Sequence, residues 1–227
     1  MEGKHIARNG FFKLISTYNN GNIYGICLLI LLPLYLFLDT SRWKKGAVFF
    51  SLLLTFSRTV WIGTLFSFLI TSLFASQKKR LFHFLLTSGI GIGVLVIVAQ
   101  ISGFNLSFFF DGALGGRIEQ FEVLDTTTFF PSAPFREILE IVYLSILSSF
   151  GILGLIAFLL SMIGPLLIAI HSFPPCLIRK RILCGLVNYL FVSLSDGAIL
   201  LIPVLSFYWI FCSLAQRNSI STVPKEG

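Results

Sequence analysis

Arg58 carries the clearest chemistry in this chain. It sits in Thr55-Phe56-Ser57-Arg58-Thr59-Val60-Trp61-Ile62-Gly63, between hydrophobic runs at 47–56 and 60–75. Among apolar neighbours an arginine is costly unless it meets protein, water or an anion. Its guanidinium is always charged and presents a planar fork of donors, which suits a phosphate or a carboxylate. The plain alternative is a side chain that snorkels to lipid headgroups. A second set of candidates lies in the polar stretch 102–140, which holds Asp111, Arg117, Glu119, Glu122, Asp125, Arg136, Glu137 and Glu140. Arg117 offers another fork of donors. Arg136, just before a helix start, reads as structural or solvated. Glu137 and Glu140 stand three residues apart and so share one side of a helix. The plain alternative for each of these charges is a solvated loop.

Metal and disulfide chemistry find no support. Cys27, Cys176, Cys184 and Cys212 fall in apolar or basic stretches without metal-ligand spacing, and a disulfide framework is not expected. His5, His83 and His171 are scattered. No cofactor and no metal are expected. Gly89, Gly91 and Gly93 form no nucleotide loop, because they lie inside an apolar span with no strand before it.

The elements that position Arg58 follow from hydropathy and charge. The 227 residues are 56% hydrophobic and 12% charged, with mean hydropathy +0.89. Soluble domains are roughly 25% charged, so the composition predicts an integral membrane protein. Net charge is +7, but its distribution says more. Arg42, Lys44 and Lys45 precede the first run beside Arg58, and Lys78, Lys79 and Arg80 follow the second. Basic clusters mark cytoplasmic loops. With both flanks inside, the chain turns at Ser57-Arg58 and carries Arg58 to the outer face. The arms are short, and the first cannot cross a hydrocarbon core of ~30 Å unless it is tilted or shielded. A single helix over 47–75, with Arg58 near mid-membrane, is the competing arrangement. Arg179, Lys180, Arg181, Arg217 and Lys225 also fall inside. Lys4, Arg8, Lys13, Arg58, Arg117 and Arg136 fall outside. This bias fits a membrane topology, not the continuous basic face that nucleic-acid binding needs.

The rest of the chain fits one scheme. Residues 1–22 form an outer N-terminal segment with turn signals at Asn19-Asn20-Gly21-Asn22. No signal-peptide pattern opens the sequence, and the first apolar helix covers 23–38 with a mild break at Pro33. Residues 39–46 read as a short basic turn. Residues 81–101 span, with glycines suited to close helix contact. Residues 102–140 form the large outer loop. The run 141–170 breaks at Phe150-Gly151, which predicts a helix partly within the outer leaflet and then a span over 151–170. Residues 182–214 form a second short-armed hairpin that turns at Ser193-Leu194-Ser195-Asp196-Gly197. A turn alone explains Ser193, Ser195 and Asp196, although they could line the site. Tyr18, Asn19 and Asn22 read as the turn and cap of the first helix. Residues 215–227 form a cytoplasmic tail. The expected fold is all-α: one membrane domain over 1–227, a polytopic transmembrane helix bundle with short-armed helical hairpins.

Four stretches together resemble the integral-membrane O-antigen polymerase and O-antigen ligase family. Arg8-Asn9-Gly10-Phe11 followed by Tyr18-Asn19-Asn20-Gly21-Asn22-Ile23-Tyr24-Gly25 is similar to an R-x-G-x-F motif and an Asn-centred turn opening a helix. Thr55-Phe56-Ser57-Arg58 is similar to the family's T-x-S-R. Gly116-Arg117 is similar to its G-R. Glu140-Ile141-Val142-Tyr143-Leu144-Ser145-Ile146-Leu147, then Phe150-Gly151-Ile152-Leu153-Gly154, resembles the return into the membrane. The resemblance covers the C-terminal half of a typical member, which implies a piece of a longer reading frame or a shortened relative. It implies a glycosyltransferase of the bacterial inner membrane that polymerises undecaprenyl-diphosphate-linked repeat units at the periplasmic face. Its partners would be that lipid-linked glycan, the bilayer and a chain-length regulator protein, with no nucleic acid. Arg58 and Arg117 would stabilise the leaving pyrophosphate. Glu137 or Glu140 would take the proton of the acceptor hydroxyl, with Asp111 a weaker candidate. Ser57, Arg8, Asn22 and Arg136 would bind substrate. Ligases tend to carry a His near the return of the loop, and none occurs between His83 and His171, which favours polymerase over ligase. A transporter of lipid-linked sugar is the alternative of another class. Such proteins usually show two related halves, and none are visible here. An inactive membrane remnant is the other.

This topology makes a direct prediction. In a cysteine scan, Asp125→Cys reacts with an impermeant thiol reagent added outside and Lys79→Cys does not. The opposite pattern would invert the scheme.

Overall fold

Glycines decide where the helices of this protein touch. The computed structural model describes residues 7–8, 11–12, 21–55, 57–74, 119–130, 139, 141–172 and 176–217. The span expected at 81–101 lies outside them. The described residues are helical apart from one small ladder. There β1 (Ala7–Arg8) pairs antiparallel with β2 (Phe11–Phe12). The helices are α1 (Gly21–Leu38), α2 (Arg42–Leu53), α3 (Arg58–Phe74), α4 (Val142–His171), α5 (Leu177–Val192) and α6 (Ile202–Ala215). Short 3₁₀ helices cover Glu119–Thr126 and Gly197–Leu200.

α1, α3 and α5 form the centre. A side-chain carbon on Gly25 of α1 would collide with Val60 of α3, and one on Gly63 would lie 2.6 Å from Leu29 and 2.7 Å from Val192. These pairings make α1 and α3 parallel. On α5, a side-chain carbon on Gly185 would collide with the Ile30 carbonyl, and Phe66 stacks on Phe191 with centroids 4.0 Å apart. α5 is therefore antiparallel to both. α6 returns along α5, with Tyr189 and Tyr208 stacked at 4.4 Å. Small residues that let backbones approach in this way are typical of helix pairs packed without a hydrophobic drive between them.

The stretch 47–75 is not one helix. α2 ends at Leu53 and α3 begins at Arg58, so the turn occupies 54–57 and Arg58 opens the second arm. The arms are antiparallel. Phe49 stacks on Phe68 at 5.1 Å, and the Trp61 indole donates to the Leu53 carbonyl over 3.2 Å. The basic segment 39–46, expected as a turn, instead supplies the first turns of α2. Ser41 is its N-cap, and its hydroxyl accepts from the Lys44 amide. Asp39 accepts from the Ser41 amide over 2.8 Å, and this bond holds its carboxyl below the ordinary carboxylate value. Likewise α5 starts before residue 182, so Arg179, Lys180 and Arg181 belong to its first turns. Arg179 is fully buried. Its Nε donates to the Ala215 carbonyl at 2.7 Å and a terminal nitrogen to the Arg217 carbonyl at 2.9 Å, which caps the end of α6.

α4 breaks where the sequence suggests, and more sharply. Gly151 has φ 69° and ψ −171°, outside helical space. Tyr143 and Phe158 would be about 22 Å apart on a straight helix, yet their ring centroids lie 6.1 Å apart. Leu144 and Leu147 also pack with Leu155 across the break. The two arms, 142–150 and 152–171, therefore fold towards each other. The polar loop supports the break, because Ile152 and Leu153 donate their amides to the carbonyls of Thr128 and Phe129 at 3.1 and 3.3 Å. The second arm is about 30 Å long. By length and composition, α4 is the one helix among the described residues long and apolar enough to cross a membrane, and α1, α3 and α6 are shorter apolar helices.

Glycine substitutions should separate these roles. Gly185→Ala and Gly151→Ala each destabilise by about 1–3 kcal/mol, the first through overpacking and the second through backbone strain and contact with Thr128 and Phe129. Gly46→Ala, inside α2 with open space around it, stabilises by roughly 0.5–1 kcal/mol. Denaturant unfolding of the solubilised protein measures all three.

Candidate functional site

The packing register brings one polar cluster to one end of the bundle. Gly25 lies against Val60 on a parallel helix, which puts Asn22 level with Ser57. Asn22 donates its side-chain amide to the Asp196 carboxylate over 2.7 Å. Asp196 is 4% exposed, in the turn between α5 and α6. Three residues earlier in that turn, Ser193 is hydrogen-bonded to the Tyr143 hydroxyl on the first arm of α4. Ser193 gives its own proton to the Leu190 carbonyl, so Tyr143 is the donor. Four chain segments thus converge: the start of α1, the 54–58 turn, the start of α4 and the 193–196 turn.

Ser57 and Arg58 form the other half of the cluster. Ser57 is buried, and its hydroxyl accepts from the Val60 amide at 3.4 Å, capping α3. Thr55, also buried, bonds back to the Leu52 carbonyl at 2.7 Å and closes α2. Arg58 is half-buried, and its side chain has no hydrogen bond or ion pair among the described residues. It occupies the first turn of α3, where the helix dipole disfavours a cation by about 0.3–1 kcal/mol. An anion placed there meets both the guanidinium and the helix amides. Arg42, Lys44, Lys45, Arg179, Lys180, Arg181 and Arg217 sit at the opposite end of the bundle.

Three of the residues that the sequence singles out come together here: Asn22, Ser57 and Arg58. Asn22 is not the cap or turn residue expected. It lies inside the first turn of α1, and its amide is directed to Asp196. Arg8 lies on β1. Arg117, Arg136, Glu137 and Glu140 lie outside the described residues. Asp196, read from the sequence as a turn residue that could line the site, is the partner of Asn22; a carboxylate between two apolar arms is flagged by the same rule that singles out Arg58. Asn188 and Ser67 are also fully buried, on facing helices, and their side-chain polar atoms have no hydrogen-bond partner among the described residues. No group of three or more His, Cys, Asp or Glu residues among the described residues could hold a metal ion.

No family model, characterised protein or solved structure matches the chain.

The Asn22–Asp196 bond is a charge-assisted contact between segments far apart in sequence. Asn22→Ala should cost about 1.5–3 kcal/mol in stability. In a double-mutant cycle with Asp196→Ala, coupling should fall at about 0.5–3 kcal/mol. Additive losses would mean the two side chains act independently.

Proposed function

We propose that this chain is a multi-pass protein of the bacterial inner membrane and a glycosyltransferase of the O-antigen polymerase type. In this reading the Arg58 end faces the periplasm. One observation carries the reading. An arginine that is half-buried and has no side-chain partner among the described residues opens a helix at the end of the bundle opposite the basic clusters, level with a part-buried Asn–Asp pair. The burial pattern supports the membrane part. Most exposed positions on α3 and α4 are apolar, among them Leu65, Leu69, Leu73, Leu160 and Leu167. Buried positions include Thr55, Ser57, Thr59, Ser67, Thr71, Asn188 and Asp196. The short helices suit a bundle whose members shield one another, and the segregation of basic residues to one end is the positive-inside pattern.

The chemistry would run as a single displacement. The acceptor hydroxyl oxygen attacks the anomeric carbon of the lipid-linked glycan, and the bond from that carbon to the pyrophosphate oxygen breaks. The electron pair leaves with the pyrophosphate. The hydroxyl proton passes to a carboxylate, Glu137 or Glu140 in this reading. Arg58, with Arg117 from the loop, meets the charge that gathers on the leaving group. Cations already in place stabilise that charge without reorganising. Asn22 and Ser57 line the same end and would bind polar parts of the substrate, as would Arg8.

Removing Arg58 or Arg117 should lower turnover about a hundred- to thousandfold, roughly 3–4 kcal/mol, and affect donor binding less. Arg58→Lys should recover only part, because an ammonium lacks the planar fork. Arg136→Ala should cost little if that side chain is solvated. The readout is the polysaccharide ladder in a polymerase-deficient host, with expression matched across variants and any upstream spans supplied. A normal ladder from both Arg58→Ala and Arg117→Ala would remove the arginines from catalysis.

A further inference from the structure

The polar loop holds out large apolar side chains in a regular order. Phe121, Leu124, Phe129 and Phe130 are between 51% and 65% exposed. Single exposed apolar residues are ordinary, but these are sorted by the backbone. The 3₁₀ helix at Glu119–Thr126 repeats every three residues, so positions three apart stack into one ridge. Glu119, Glu122 and Asp125 form an exposed acidic ridge, and Phe121 and Leu124 an exposed apolar one. Gln120 and Val123 form the third, which is half-buried. Gln120 turns that ridge to the bundle by accepting from the Ile141 amide over 3.0 Å. One ridge thus lies on protein and one suits water. The apolar ridge has no protein cover among the described residues.

Its place beside α4 indicates the cover. The carbonyls of Thr128 and Phe129 accept from the amides of Ile152 and Leu153, which open the second arm. That arm carries the exposed Ile152, Leu153, Ile156, Leu160 and Leu167. Its apolar flank therefore reaches the loop, where Phe129 and Phe130, edge to face at 5.1 Å, extend it. The far end of the arm leads to the basic start of α5, about one hydrocarbon thickness away. The first arm folds back until Tyr143 meets Phe158, about 9 Å below the break. Bonded at both places, the loop runs beside the outermost turns of the span. An amphipathic helix at that depth lies in the plane of the leaflet, with its apolar side sunk by about 5–10 Å. We propose that residues 119–130 rest on the outer leaflet, with Phe121, Leu124, Phe129 and Phe130 in lipid and Glu119, Glu122 and Asp125 in water. The acidic ridge repels anionic headgroups, so the partner is a zwitterionic lipid surface. A second copy fits poorly, because a two-fold contact brings the same patches together and so sets one acidic ridge near the other. The proposal rests on the membrane reading and is independent of the transferase reading.

Nitroxide labels on the full chain in phosphatidylcholine nanodiscs test it. Cysteines are introduced singly at these exposed positions, with Leu160→Cys as the lipid reference. Cys176→Ser removes the one native thiol that is not buried. Collisions with oxygen, which concentrates among acyl chains, are compared with collisions with a water-soluble nickel chelate. Labels at Phe121→Cys, Leu124→Cys, Phe129→Cys and Phe130→Cys should favour oxygen, as Leu160→Cys does. Labels at Glu119→Cys, Glu122→Cys and Asp125→Cys should favour nickel, so the preference reverses between positions 121 and 122. A preference for nickel at every loop position, with Leu160→Cys still in lipid, would overturn the proposal and leave the membrane reading standing. A preference for nickel at Leu160→Cys as well would overturn both. Shielding of positions 121 and 124 from both reagents would overturn it in favour of a protein cover. Spin–spin broadening that disappears on dilution with unlabelled chain would identify that cover as a second copy.

Discussion

The contact between Gly185 and the backbone of Ile30 sets the rest of the structure. With no side chain at 185, the carbonyl of α1 occupies the space that a side-chain carbon would need. Two helices this close lock their register, since side chains above and below the contact can interdigitate in only one way. That register carries Asn22 to Asp196 at one end and the start of α5 to the end of α1 at the other, where Arg181 stands over the Phe37 ring at 5.7 Å. Gly25 and Gly63 then fix α3 against the same pair. Arg58 is therefore placed by contacts one to two turns away from it. Among the described residues no side-chain partner of its own places it.

The same packing explains why polar groups are buried while apolar ones face out. Helices that approach through glycine, serine and threonine need little hydrophobic area between them. They can hold hydroxyls at the seam, where Thr71 bonds back to the Ser67 carbonyl at 2.8 Å and Thr55 to the Leu52 carbonyl. Apolar side chains fill the rest of the core, and others, such as Leu65, Leu69, Leu160 and Leu167, face outward. In water this would be an unstable surface, because large contiguous apolar patches drive association. In a bilayer it is the expected one. Basic residues at the start of α5 run against its dipole. Arg179 offsets this by capping the carbonyls that end α6, so the two helices stabilise each other's weaker ends.

Much of this is legible in the sequence because breaks in apolar runs are local events. A charged residue between two runs with basic flanks marks the 54–57 turn. Phe150-Gly151 marks the bend in α4, and Ser193 to Gly197 marks the second hairpin. Arg58 was legible as a candidate for the same reason, whereas Ser57 and Asn22 entered as site residues only through the family resemblance. What escaped is tertiary. Asn22 and Asp196 are 174 residues apart, and nothing local to either indicates the other. The basic segment 39–46 looked like a loop because its charges dominate, yet one serine cap turns it into helix. The angle of the α4 bend depends on a positive φ that glycine permits but does not dictate, and on carbonyls supplied from the 128–129 segment.

That last dependence ties the polar loop to the site. A helix broken in its middle exposes new amides at the start of its second arm, and Thr128 and Phe129 satisfy two of them. At the start of the first arm, Gln120 accepts from the Ile141 amide over 3.0 Å. The described part of the loop is thus bonded to both arms, at the two points where α4 lacks its own acceptors. The first arm in turn carries Tyr143, which bonds Ser193 in the turn that holds Asp196. A shift of residues 119–130 must either break these bonds, leaving amides unpaired at about 1–3 kcal/mol each where buried, or carry the first arm with it. Residues 119–130, the bent helix and the polar cluster therefore move as one unit or not at all. The described part of the polar stretch, 119–130, is a structural support of the site.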